Sequence, residues 1–313
     1  MDIPSFRRAA ESFEALTQVP LSKSSLAQLV WEYGERVAEG QEQEAEELAG
    51  LPEGDKSYPV SPEAAGETMA VSLDGVLLNV RDEGWKEVKV ASVSVVEQEA
   101  GEGEEPVVRL TQHSYRAGLW EAARFGQQQW AEAWGRGIER AKRIVAVSDG
   151  AAWIWALILT CYAPCVQIID WWHALQHVWE IAFGVLGQGT AEAERWGLEL
   201  KAHLWAGEIR AIFRALRERW PRGRELPETL RQAVGYLFRQ RHRMCYPSYR
   251  RAGYPIGSGT VESACKLVVQ ERLVQAGMRW SRPGAQALLA LRCTLLSNHW
   301  DATWQSLAPA QVT

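Results

Sequence analysis

Apolar runs bounded by turn residues predict five β-strands in the middle of the chain. Residues 69–80 and 85–96 are rich in Val and Leu, and Arg81-Asp-Glu-Gly84 between them is typical of a hairpin turn. In the second run apolar and polar positions partly alternate, as in a strand with one solvent-facing side. Shorter apolar runs predict the remaining strands at residues 107–113, 144–148 and 165–169.

Helical spacing of apolar residues predicts helices before, between and after these strands. Ser22 and Ser24 are candidate N-caps of the second helix. The predicted helices cover residues 6–17, 24–48, 116–138, 151–158, 174–186, 260–275 and 285–297, with further helices throughout 187–250. Three meandering strands followed by two strands joined through a helix predict an α/β protein whose mixed five-stranded sheet is flanked by helices.

The main domain boundary is predicted at residues 51–62, because this segment contains three Pro and one Gly, as linkers do. The predicted division is a helical N-terminal segment with its linker at 1–65, the first part of an α/β core at 66–186, an all-helical basic insertion at 187–250 and the last part of the core at 251–313.

The composition is that of a globular protein in a reducing compartment. The chain has 313 residues, 47% of them hydrophobic and 23% charged, which allows a sizeable core. Five Cys at irregular positions and the lack of a signal peptide predict a cytoplasmic protein without a disulfide framework. No apolar stretch reaches the roughly 18 residues of a membrane span, so no membrane partner is expected.

Charge is unevenly distributed along this chain of net charge −5, with acids early and arginines late. From Arg210 to Arg251 there are twelve Arg and three Glu, a local net charge of +9. Such a field favours binding to a phosphate backbone, and guanidinium groups suit oxyanions. Arg210, Arg214 and Arg217 are the predicted contacts. The alternative is a solvated helix pair with ordinary surface arginines.

Three acids stand where predicted elements begin or end. Asp149 follows the fourth strand, although Asp-Gly is also a common strand-ending turn. Asp74 lies within the first strand, unless Asp74-Gly75 is itself a hairpin turn. Glu262 lies in the first turn of a late helix, where it could simply interact with the helix dipole and with Lys266.

A fourth acid, Asp170, follows the fifth strand in the sequence Asp170-Trp-Trp-His173. Hydrogen bonds from this pair that tie the sheet edge to the next helix are the favoured interpretation. The alternative is a structural zinc site, because His173 and His177 are four residues apart and Cys161 and Cys165 are nearby in sequence.

Several of these motifs resemble those of bacterial insertion-sequence transposases, and the similarity extends from about Val71 to Trp304. Its most specific stretches are Ile169-Asp-Trp-Trp-His173, Gly257-Ser-Gly-Thr-Val-Glu-Ser-Ala-Cys-Lys266 and Gly277-Met-Arg-Trp-Ser281. The chain looks most like the Kra-type family, which is related to the Mutator-like group.

The resemblance implies a ribonuclease H-like core with an all-helical insertion before the last catalytic acid. The implied catalytic and metal-binding triad is Asp74, Asp149 and Glu262, with Asp170 and His173 as accessory residues. The implied cofactor is a pair of Mg²⁺ ions, for which Mn²⁺ can substitute. Element ends and target DNA are the expected partners of a homo-oligomer. Lys266, Arg279 and Trp280 are further candidate DNA contacts.

The function implied by the resemblance is strand cleavage and strand transfer by phosphodiester transesterification. Two alternatives remain open, namely a DNA-binding remnant that no longer cuts and a ribonuclease H-like nuclease that selects DNA structure. We also expect a chain that has lost an N-terminal end-recognition module. About 65 residues precede the first predicted strand, and Glu39–Glu47 among them holds five Glu and no basic residue, which makes a poor phosphate partner.

Overall fold

The computed structural model describes residues 5–50, 62–101, 105–221 and 223–307. It confirms a mixed α/β protein with an open five-stranded sheet flanked by helices. The strands are β1 (Thr68–Val80), β2 (Gly84–Glu99), β3 (Val107–Gly118), β4 (Arg143–Ser148) and β5 (Val166–Ile169). Their order in the sheet is β3-β2-β1-β4-β5. β1 pairs antiparallel with β2, whereas β4 and β5 are parallel.

The hairpin between β1 and β2 is confirmed, and it decides between the two interpretations of Asp74. β1 is continuous through Asp74, which lies opposite Val90 of β2, so Asp74-Gly75 is not a turn. The predicted helix at 116–138 was wrong at its start. β3 continues to Gly118 because Arg116 and the residues beside it are buried in the sheet, and the helix begins at Ala122.

The helices lie close to the predicted positions. In chain order they are α1 (Phe6–Thr17), α2 (Lys23–Gly50), α3 (Ala122–Gly135), α4 (Ala152–Tyr162), α5 (Trp171–Leu186), α6 (Ala191–Trp205), α7 (Ile209–Arg219), α8 (Glu228–Gln240), α9 (Tyr246–Arg251), α10 (Gly259–Ala264), α11 (Glu271–Leu273), α12 (Arg282–Leu296) and α13 (Trp300–Leu307). The Ser22 hydroxyl accepts a hydrogen bond from the backbone N–H of Ser25 at 3.0 Å, as expected of a cap.

The late helix that carries Glu262 differs from the regular helix predicted at 260–275. Between α10 and α11 the chain forms a π-helical segment, Cys265–Gln270. A π-helical turn contains more residues than an α-helical turn, so it rotates the following side chains away from their α-helical positions.

The described chain forms two compact units. Unit 1 comprises the described residues of 1–95, 112–142 and 259–313, and unit 2 comprises those of 96–111 and 143–258. The predicted linker at 51–62 lies outside the described residues except for Pro62. No helix in the described ranges combines the length and apolarity needed to cross a membrane.

The core of unit 1 forms where β1 and β2 pack against the late helices. Val88 and Val90 of β2 are fully buried with Val268 and Leu289. α2 packs closely against α12, and a Cβ atom on Gly34 would lie 2.6 Å from the carbonyl oxygen of Ala287. The N-terminal helices are therefore an integral layer of unit 1.

Three of the five carboxylates in the acidic run of α2 pair with arginines of unit 1. Glu44 lies 3.2 Å from the guanidinium of Arg116, which is 4% exposed. Glu42 and Glu46 both pair with Arg124 of α3, at 3.2 and 2.8 Å. Because these carboxylates stabilise the packing of α2 on the sheet, the run is not a free acidic surface.

The core of unit 2 is helical. α5 packs against α6 and α8, and it buries Val178 and Ile181 with Leu200 and Leu237. Residues 187–250 are largely helical, as predicted, from α6 through α9.

Candidate functional site

Unit 1 brings Asp74 to the helix that carries Glu262. The Cys265 thiol donates to the Asp74 carboxylate at 3.5 Å, although the two residues are 191 positions apart in sequence. The other oxygen of Asp74 accepts the backbone N–H of Gly75 at 2.7 Å. Asp74 is half-buried in β1 and Glu262 is exposed in α10.

The charges of Asp74 and Glu262 both affect the pKa of the Cys265 thiol. Burial, the adjacent Asp74 charge with its hydrogen bond, and the Glu262 charge together raise the pKa of Cys265 well above its ordinary value. The thiol therefore stays protonated and acts as a donor, and Asp74 and Glu262 form one acidic locus in unit 1. Lys266 is exposed and makes no ion pair within the described ranges, so the alternative pairing with Glu262 is wrong. The π-helical segment that starts at Cys265 removes the α-helical register that this pairing needs.

In unit 2, Asp149 is presented directly after β4, at the carboxyl end of the strand. One of its carboxylate oxygens accepts the backbone N–H of Ala151 at 2.8 Å, and its carbonyl oxygen accepts the indole N–H of Trp155 at 2.8 Å. Within the part of the chain that the structure describes, the second carboxylate oxygen accepts no hydrogen bond. Asp149 is thus held by its backbone and keeps one oxygen available.

Asp170, after β5, differs from Asp149 because it is fully buried and both its oxygens are occupied. One oxygen accepts the backbone N–H and the Nδ1 of His173, at 2.8 and 3.0 Å. The other accepts the backbone N–H and the hydroxyl of Ser258, at 2.6 and 2.9 Å. Burial alone raises the pKa of Asp170, but the hydrogen bonds from His173 and Ser258 outweigh it, and the pKa lies below its ordinary value.

These four hydrogen bonds give Asp170 a structural part in unit 2. It caps α5 and ties the start of that helix to the Gly257-Ser258 segment. Both oxygens of Asp170 already accept hydrogen bonds, whereas Asp149 retains an oxygen of the kind that a hard cation prefers. The two aspartates of unit 2 thus differ in their hydrogen-bond partners, and their roles as ligand and accessory residue stay predictions.

Sequence reasoning missed Tyr236 of α8, inside the predicted basic insertion. A Cβ atom on Gly150 would lie 2.1 Å from the Tyr236 ring, so the Asp149-Gly150 sequence is explained by this close packing. The ring of His177 lies 4.0 Å from the Tyr236 ring, centroid to centroid. The only signal in the sequence was an aromatic residue on a helix, which is ordinarily core.

The Tyr236 hydroxyl is buried and has no hydrogen-bond partner among the described residues. Burial, followed by the charges of Asp149 and Asp170, raises the pKa of Tyr236 well above its ordinary value. The phenol is therefore a protonated donor beside two carboxylates. A buried polar group without a partner is uncommon in native proteins and often marks a functional role.

Both histidines of the zinc alternative are hydrogen-bonded to carboxylates in unit 2. Nδ1 of His173 is engaged by Asp170, and Nδ1 of His177 lies 2.7 Å from a carboxylate oxygen of Glu180. Burial raises the pKa of Cys165 to about 11, so this thiol is protonated at neutral pH in the metal-free protein.

The candidate DNA contacts fall into two groups. Arg210, Arg214 and Arg217 lie exposed along one face of α7 in unit 2, and in the described ranges none of them forms an ion pair. In unit 1, Arg279 is exposed. The indole N–H of Trp280 donates to the Leu273 carbonyl at 2.9 Å, which holds this residue in the packing of the unit. DNA contact by these residues stays a prediction.

Comparisons with protein-family models and with curated proteins found no match to this chain. The resemblance to insertion-sequence transposases therefore rests on the motifs quoted above.

Proposed function

We propose that this protein is a DNA transposase that cleaves and transfers strands of an insertion sequence by phosphodiester transesterification, with a ribonuclease H-like core. The observation that carries the proposal is the acidic locus of unit 1. Asp74 and Glu262, the first and last acids of the triad implied by the sequence, flank the same Cys265 thiol despite their distance in sequence.

Unit 2 supports the proposal through the contrast between its two aspartates. Asp149 is the middle acid of the proposed triad and keeps a carboxylate oxygen available, whereas Asp170 is occupied by His173 and Ser258. Asp149 and Asp170 follow the neighbouring parallel strands β4 and β5, and open sheets place functional residues at the carboxyl ends of such strands. In the proposed site Asp149 is the metal ligand and Asp170 is its structural support.

In this proposal Mg²⁺ is the cofactor that the three carboxylates would bind. Carboxylate oxygens are the ligands that Mg²⁺ prefers, and Asp74, Asp149 and Glu262 supply three of them in this proposal. When bound, a pair of such ions supplies Lewis-acid stabilisation of the attacking and leaving oxygens. The chain's own contribution is to orient Asp74 and Asp149 through the backbone N–H groups of Gly75 and Ala151.

Tyr236 packs beside Asp149 in unit 2. Its buried hydroxyl stays protonated and has no partner among the described residues, and its ring contacts Gly150, directly after Asp149. In this proposal Tyr236 is a positioning residue for Asp149.

The proposal is tested by incubating the protein with a supercoiled plasmid that carries the DNA flanking its gene, in Mg²⁺, Mn²⁺ or EDTA. We expect nicking with either metal and none with EDTA. Asp149→Asn should reduce the nicking rate by at least about 10²-fold and leave DNA affinity in EDTA within about threefold, because it removes ligand charge without altering the fold.

The two alternative functions give different results in the same assay. DNA binding without metal-dependent nicking by the wild-type chain identifies a binding remnant and refutes the proposed activity. Nicking that depends on branched DNA, without joining of the 3′ ends to a second plasmid, identifies a structure-selective nuclease instead. Joined products are the result that the transposase requires.

A further inference from the structure

Unit 1 contains a cavity of about 750 Å³ that is lined by basic residues and by no carboxylate. Its lining brings together residues from the start of α1, the start of α2, the turn after β1 and the segment before α12. The basic lining residues are Arg7, Arg8, Lys23, Arg81, Arg272 and Arg279. Six cations around one cavity are unexpected on a chain whose net charge is −5.

Five of these cations are available to a ligand. Arg7, Arg8, Lys23, Arg81 and Arg279 are exposed, and in the part of the chain that the structure describes none of them forms an ion pair. Uncompensated like charges repel one another, so the cluster costs stability unless an anion binds it. The first turn of α1, capped by the Ser5 hydroxyl that accepts the backbone N–H of Arg8, also lines the cavity, and the start of the helix adds positive partial charge.

The sixth cation, Arg272, builds the cavity. It is only 6% exposed, and its guanidinium lies 4.3 Å from the centre of the Phe6 ring. Phe6 in turn packs edge-on against Trp280, with ring centroids 6.4 Å apart. These contacts fix the basic start of α1 on unit 1, so Arg7 and Arg8 are held at the cavity by ordered structure.

The position of the cavity along β1 relates it to the acidic locus. Arg81 directly follows β1, and Asp74 lies six residues before Val80 on the same strand. At about 3.3 Å per residue the separation along the strand is roughly 20 Å. B-form DNA covers that length in about six base pairs at 3.4 Å each, so one duplex is long enough to reach from the cavity to Asp74.

We infer that this cavity is a binding site for the phosphate backbone of DNA, and that the N-terminal helices α1 and α2 take part in it. The inference rests on the proposed function for its choice of DNA as the polyanion. It changes the expectation that the N-terminal segment is a poor phosphate partner. Three carboxylates in the acidic run of that segment pair with Arg116 and Arg124, while its basic residues line the cavity.

The test compares two triple variants with the same change in charge. Arg7, Arg8 and Arg81 are changed to Gln in the first. Arg143, Arg195 and Arg251, which are exposed, form no ion pair among the described residues and do not line the cavity, are changed to Gln in the matched control. Affinity for a short fluorescent duplex is measured by anisotropy in EDTA, between about 50 and 200 mM salt, so that no cleavage is involved.

We expect the cavity variant to bind DNA at least about tenfold more weakly than the wild type. The slope of log affinity against log salt concentration should become less steep by about two to three, because each lost phosphate contact removes roughly 0.9 from it. The control should change affinity by less than about threefold. Equal effects of the two variants overturn the inference. So does a cavity variant that loses binding to anionic vesicles but keeps its affinity for DNA.

The outcome is separable from that of the proposed function. A cavity variant that loses DNA affinity, in a chain whose wild type never nicks DNA, supports the cavity and contradicts the transposase activity. If the wild type nicks DNA and the cavity variant binds DNA as tightly as the control does, the proposed activity is retained and the cavity is refuted as a DNA-binding site.

Discussion

Removing the hydroxyl of Tyr236 should change the free energy of unfolding in the opposite direction to removing the hydroxyl of Tyr246, which lies in the same unit. Tyr236→Phe keeps the ring that packs against Gly150 and removes a buried O–H group that has no partner in the described structure. Tyr246 is fully buried as well, but its hydroxyl donates to the Ile169 carbonyl at 3.0 Å. The same atom is deleted in Tyr246→Phe, which makes it a matched control.

The magnitudes follow from the state of each hydroxyl. Leaving a buried polar group unsatisfied costs about 1–3 kcal/mol, so Tyr236→Phe should leave the free energy of unfolding unchanged or raise it by up to about 2 kcal/mol. Tyr246→Phe breaks a made hydrogen bond and leaves the Ile169 carbonyl without its donor, so it should lower the free energy of unfolding by about 1–2 kcal/mol.

The measurement is urea unfolding followed by tryptophan fluorescence, with slopes compared so that a shift in midpoint can be read as a change in stability. The nicking rate, measured well below the unfolding transition, should stay within about threefold of the wild type in Tyr236→Phe, because the ring that packs against Gly150 beside Asp149 is kept. A loss of stability in Tyr236→Phe as large as that in Tyr246→Phe would show that the hydroxyl has a partner in the folded protein and refute the reasoning.

Three further predictions concern the same unit. Asp170→Asn should lower the free energy of unfolding by about 2–4 kcal/mol at neutral pH, measured by urea titration, because it puts amide hydrogens against the donors of His173 and Ser258. The folded-state pKa of Asp170 is lowered, so the stability that its carboxylate contributes is present above its unfolded pKa of about 3.9 and is lost as the pH falls through the folded-state pKa. If Asp170→Asn keeps the wild-type pH dependence of stability below about pH 4, this reasoning is contradicted. Gly150→Ala should cost about 1–3 kcal/mol and displace Tyr236, seen as altered protection of α8 in hydrogen exchange, and wild-type stability would contradict the close packing. Replacing the three exposed arginines of α7 with Gln should weaken DNA binding in anisotropy and flatten its salt dependence by up to about three; an unchanged slope would favour the solvated-surface interpretation.

The sequence predicted the local structure well because local structure depends on local pattern. Apolar runs bounded by Gly, Pro and Asp located all five strands, and helical spacing located α1 and α2 almost to the residue. Predictions were wrong where packing overrides propensity. Arg116 continues β3 since Glu44 and Glu132 pair with its buried guanidinium, and no local pattern announces those partners. The π-helical segment after Glu262 was likewise invisible in the sequence.

The candidate acids were selected by their positions at element ends and by motif resemblance, and resemblance alone placed Asp149 in the triad and Asp170 among the accessory residues. The structure separates them, because Asp170 is saturated by donors from His173 and from the distant Ser258, whereas Asp149 keeps an oxygen free. Which acid is a ligand and which is a support depends on neighbours that only folding supplies.

What the sequence determined by itself is therefore the order of strands and helices, the burial of their apolar faces, and the set of acids available for chemistry. What only the tertiary structure decided is which distant residues meet. Asp74 reaches the Glu262 helix, Tyr236 reaches Gly150, and Arg7 joins Arg279 around one cavity. The physical reason is that periodicity and capping are properties of neighbours in sequence, while long-range contacts arise from packing whole elements against one another, where each contact depends on all the others.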